Sequence, residues 1–82
     1  MEERVNAKRF RQEIGMAIRR RRHKLNSSQE DFADIAGIHR TYVSSIELGK
    51  VDIGISVAYK IAGALKLPLS KLIKKTEASL KN

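Results

Sequence analysis

Apolar residues recur along this chain at helical spacing, in five stretches separated by short polar breaks. In the first, Phe10, Ile14, Ala17, Ile18 and Leu25 fall on one side of a helix over about residues 7–25. Asn26-Ser27 reads as a turn. Ser28, with Asp31 three residues on, has capping-box spacing and opens a second helix over about residues 29–36. Its apolar positions are Phe32, Ala33, Ile35 and Ala36, and Glu30 and Asp31 suit the positive end of its dipole. Gly37 breaks the pattern. A third helix, about residues 40–48, presents Tyr42, Val43 and Ile46 on one side, with Gly49 as its C-cap. A fourth, about residues 55–65, turns Ile55, Ala58, Ile61, Ala62 and Leu65 inward. The single proline, Pro68, fits the first turn of a fifth helix, whose stripe is Leu69, Leu72, Ile73, Thr76 and Leu80. No stretch alternates with strand period. The pattern predicts an all-α fold: one compact five-helix domain over residues 1–82, its core about residues 7–79.

The third stretch carries more than a core face. Opposite its apolar stripe stand Arg40, Thr41, Ser44 and Ser45. A helix with one buried stripe and one stripe of short hydrogen-bonding residues plus an arginine can lie in a DNA major groove. Charge points the same way. The net charge is +8, and residues 1–25 carry nine of the seventeen Lys and Arg against three acids. Such a bias calls for a polyanion, nucleic acid before membrane.

Composition removes other classes. With no cysteine and two histidines sixteen residues apart, the chain offers no disulfide and no metal site. No nucleophile–base set and no glycine-rich phosphate loop is visible, so neither catalysis, a cofactor nor a small-molecule ligand is expected. No apolar run approaches the roughly 20 residues that span a bilayer. The first residues, MEERVNAKRF, are too polar for a signal peptide, and a cytoplasmic location is expected. The tail, Lys81-Asn82, is expected to fray.

These residues resemble the lambda-repressor/Cro-type (Xre) helix-turn-helix family over about residues 14–73. The resemblance runs through Gly15, Ile18 and Arg22, then Ser28-Gln29-Glu30, Ala33, Gly37, Ile46-Glu47 and Gly49. It ends with Lys60-Ile61-Ala62, Ala64-Leu65, Leu69 and Leu72. Residues 38–47 look most like the controller proteins of restriction–modification systems, small dimeric regulators that bind operators upstream of their own gene and the endonuclease gene. The chain departs from the pattern at Leu48, where many relatives have arginine. It departs again at Arg21, usually a leucine, which is either exposed or repacked.

The resemblance implies a helix-turn-helix over residues 28–48. Arg40, Thr41 and Ser45 would read bases: Arg40 by two hydrogen bonds to guanine, worth about 1–3 kcal/mol, or else a phosphate. Ser28, Gln29, His39, Tyr42 and Ser44 would contact the DNA backbone or support the readers. Within that group His39 can cap the third helix, Ser44 can face phosphate or protein, and Tyr42 can fill the core edge or reach a phosphate. Arg19 or Lys24 can also reach phosphates. Arg22 and Glu47 would form a structural ion pair. A dimerisation region over about residues 66–80 would use Leu69, Leu72, Ile73 and Leu80, the first three of which can equally be core. Expected partners are a pseudo-palindromic double-stranded operator, a second copy of the chain and RNA polymerase. The alternatives are a phage-type repressor or an antitoxin and, from other classes, a protein–protein adaptor or a cationic membrane-surface protein.

Overall fold

A computed structural model describes residues 6–81. The polar reading of residues 1–5 and the terminal Asn82 lie outside them. Five helices follow in order: α1 Ala7–Lys24, α2 Gln29–Ala36, α3 Arg40–Glu47, α4 Ile55–Ala64 and α5 Leu69–Leu80. There is no strand among the described residues. The starts of α1, α2 and α3 carry side-chain caps. Asn6 accepts from the Arg9 N–H at 3.0 Å, and Ser28 accepts from the Asp31 N–H at 3.0 Å. His39 Nδ1 accepts from the Thr41 N–H at 3.4 Å, so this imidazole caps α3. Pro68 stands at the N-cap of α5, one residue earlier than the first-turn position expected of it.

Four of the five helices end in the same way. A residue with positive φ follows the last turn: Asn26 (55°), Gly37 (72°), Gly49 (72°) and Lys66 (60°). In each case the next N–H reaches back into the helix. Ser27 donates to Arg22, Ile38 to Ala33, Lys50 to Ser45 and Leu67 to Ala62, at 3.0–3.1 Å. This is the Schellman closure, which satisfies carbonyls that the helix leaves open. It ends α1, α3 and α4 one residue short of the expected boundaries.

The core lies between α1, α4, α5 and the helix-turn-helix. Ile18, Phe32, Val43, Ile46, Ile61, Leu65 and Leu72 are its large, fully buried side chains. Thr76 is buried with them, its hydroxyl donating to the Leu72 carbonyl at 2.9 Å. α1 packs against both α3 and α5, while α2 packs against α3 and α4. Two expected core residues lie outside. Ile35 is 68% exposed and Ile55 is 73% exposed. The buried face of α2 is already filled by Phe32, Ala33 and Ala36. Ile55 heads α4, before that helix enters the core.

Candidate nucleic-acid interface

The crossing of α1 over α3 depends on Gly15. A Cβ there would lie 2.4 Å from the Ile46 carbonyl oxygen and 2.7 Å from that of Glu47. Only glycine lets the two backbones approach this closely. Arg22 lies two turns along α1 from Gly15, on the same side, and meets the end of α3. Its Nε donates to Glu47 Oε2 at 2.7 Å and its Nη2 to Oε1 at 2.9 Å. This two-pronged geometry is the strongest available to a guanidinium and a carboxylate. The third prong, Nη1, donates to the Ser27 carbonyl at 2.8 Å. Gln29 adds its amide, donating from Nε2 to Glu47 Oε1 at 3.1 Å.

Both charges are buried, each at 6% exposure. The Glu47 carboxylate, by hydrogen bond and by charge, holds the Arg22 guanidinium pKa above its ordinary value against the opposing pull of burial. One network thus joins α1, the α1–α2 turn, the start of α2 and the end of α3.

The opposite side of α3 is open. Arg40 and Thr41 are exposed, and Ser44 and Ser45 are half-buried. Arg40 shares one shallow groove with Ser28, Gln29, Glu30 and Asp31, which brings the starts of α2 and α3 onto one surface. Tyr42 is half-buried against the core, and its hydroxyl donates to the Asp52 carbonyl at 3.4 Å, so the ring braces the α3–α4 loop. Leu48 is 55% exposed at the end of α3.

Other expected positions are displaced. Leu72 is 1% exposed in the core of a single chain and has no surface for a second copy. Leu69 and Ile73 pack against that core while half-exposed, and Leu80 is half-buried. Lys24 lines a groove between α1 and α5, on the side of α1 turned from α3. It is therefore not beside the open side of α3.

Two contacts escape sequence reasoning. Arg21 is half-buried and its Nε donates to the Leu65 carbonyl at 3.0 Å, closing the end of α4. Arg11 pairs with Asp52 at 3.2 Å across the surface. No group of three or more His, Cys, Asp or Glu among the described residues is placed to hold a metal. No described helix is long and apolar enough to cross a membrane.

A five-helix domain with an open α3 and a buried strut behind it defines a class. Residues 18–72 match the family described as Helix-turn-helix. The chain belongs to this family of DNA-binding regulators, and it is similar to the controller proteins of restriction–modification systems. It is 38% identical over 65 residues to control protein C.SmaI of Serratia marcescens, covering 79% of this chain and 75% of that one. It is 40% identical over 57 residues to control protein C.MunI of Mycoplasma sp, covering 70% and 77%. The crystal structure of the restriction–modification controller protein C.AhdI from Aeromonas hydrophila superposes with a TM-score of 0.74 at 29% identity, over 76% of this chain and 94% of that one. The clp gene regulator ClgR from Corynebacterium glutamicum shares the fold at a TM-score of 0.83 and 18% identity, over 88% and 77%.

Proposed function

We propose that this chain is a sequence-specific, homodimeric transcriptional regulator that controls a restriction–modification system and acts in the cytoplasm, by binding rather than by catalysis. The observation that carries the reading is the two-sided α3. Its inner side is fixed by the Arg22–Glu47–Gln29 network, and its outer side offers only Arg40, Thr41, Ser44 and Ser45. In the major groove, Arg40 donates two hydrogen bonds to guanine O6 and N7, and the Thr41 methyl meets a thymine methyl. Ser45 is short enough to let the helix approach the base edges. Ser28, Gln29 and His39 sit at helix starts, where backbone N–H groups suit phosphate oxygens.

A second copy covers the apolar surface at the start of α4. Ile55 and Tyr59, 73% and 71% exposed, lie one turn apart on α4. Ile55 also lines a groove with Phe10, Ile14, Ile53, Ala58 and Ile73, at whose edge stand the paired Arg11 and Asp52. A twofold dimer on this face and Leu80 places two α3 helices on successive major grooves of a pseudo-palindrome, about 34–36 Å apart.

The test is a gel shift with the purified chain on its own upstream region against random competitor. Operator retention with competitor in hundredfold excess is the expected result, and Arg40→Ala should weaken it by at least tenfold. Equal competition by random DNA would contradict the reading. So would a chromosomal setting without methyltransferase and endonuclease genes, which favours a phage-type repressor or antitoxin.

A further inference from the structure

A second groove runs between α1 and α5, lined by Ala17, Arg20, Arg21, Lys24, Lys75 and, with Ala78, by Ser79. On α1 the lining residues recur at intervals of three and four, so they form one stripe. Gly15 and Arg22, the residues that meet α3, lie nearly opposite that stripe around the helix. A duplex held by α3 therefore leaves this groove open. Its two walls are cationic: Arg20 and Lys24 one turn apart on α1, and Lys75 on α5 one turn before Ser79. No carboxylate is among the described residues that line it. Arg21 is anchored by its bond to the Leu65 carbonyl, so one guanidinium is held in place before anything binds. Ala17 and Ala78 add methyl groups to the lining.

We propose that this groove docks an acidic helical segment of a protein partner, leaving α3 free for DNA. The cationic walls require negative charge on both flanks of the occupant. The alanine methyl groups in the lining suit a small apolar strip on the same occupant. A helix with glutamates at spacings of three and four on either side of an alanine stripe supplies both. A phosphodiester backbone supplies the charge but no apolar strip. Like-charge walls brought this close also lower the affinity for any basic partner.

The experiment is a titration of the full chain, isotope-labelled, with a synthetic helical peptide of alternating glutamate and alanine pairs, followed by amide NMR shifts. The expected result is shifts confined to residues 17–24 and 75–79, with none at residues 40–45. Affinity should fall at least tenfold in the double variant Arg20→Glu, Lys75→Glu, and at least tenfold for the same peptide with glutamine in place of glutamate. Operator retention in a gel shift by the charge-reversed chain reports that it is folded. Shifts centred on α3, equal binding of the glutamine peptide, or no shifts at millimolar peptide would overturn the proposal. Stronger perturbation of the groove by a random duplex than by the peptide would also overturn it, and would assign the site to nucleic acid.

Discussion

Arg22 and Glu47 make a pair whose worth lies in its completeness. Two buried charges attract strongly, but taking them out of water costs a comparable amount, so the intact pair adds little net stability. Removing one partner is different. Glu47→Ala leaves a buried guanidinium with only the Ser27 carbonyl, and removes the acceptor for Gln29. The expected loss is about 3–5 kcal/mol. For a domain of this size that lowers the melting temperature by more than about 10 °C in a thermal melt. A shift within a degree or two would show that the pair is not the strut described. A smaller test concerns backbone conformation. Lys66 holds φ at 60° at the end of α4, a conformation that L side chains resist by about 1–2 kcal/mol. Glycine relieves that strain but loses about 0.5–1 kcal/mol of chain entropy on folding. Lys66→Gly should therefore raise stability slightly in chemical denaturation, whereas Gly37→Ala, at φ 72°, should lower it.

At the scale of elements, helix propensity and close packing disagree at Gly15, and packing wins. Alanine would favour the helix by about 1 kcal/mol. Its Cβ would also meet two backbone carbonyls at 2.4 and 2.7 Å, and neither can swing away as a side chain would. Gly15→Ala should thus destabilise the chain and push α3 outward, weakening DNA binding beyond what the stability loss explains. Denaturation and gel shift on the same variant check both. The helices and their caps were legible because their causes are local: Ser28 before α2, Gly37 after it, and the apolar stripes. The polar side of α3 was legible too, because Arg40, Thr41, Ser44 and Ser45 stand at helical spacing opposite Val43 and Ile46. What was not legible depends on neighbours distant in sequence. Ile35 belongs to an apolar set wider than the face an eight-residue helix can bury, and only the placement of α2 decides which edge faces out. Arg21 stands where the family usually has leucine and was expected to be exposed or repacked, and its partner is a backbone carbonyl forty-four residues away. Such a partner has no sequence signature. Leu72 and Leu69 share one stripe, and only the packing of α5 against α1 and α4 makes the first of them core.

At the scale of the molecule, the surface divides into three regions with different chemistry. The α3 face is polar, the α1–α5 groove is basic, and the face around Ile55 and Tyr59 is apolar. The apolar face carries the dimer in our account. Ile55→Lys, at a position 73% exposed, should leave the fold intact by circular dichroism and weaken self-association at least tenfold in sedimentation equilibrium. An unchanged dimer would move the interface elsewhere. The net charge of +8 implies phosphate contacts, so affinity for DNA should fall steeply between 50 and 200 mM salt. The central claim, that two copies present α3 to a specific operator, is tested most directly by selecting bound sites from random DNA with the purified chain and footprinting them. The expected result is an enriched pseudo-palindrome with half-sites about one helical turn apart, guanine protected opposite Arg40, and a matching sequence upstream of the chain's own gene. Recovery of unrelated sequences, or of a single half-site without symmetry, would contradict it.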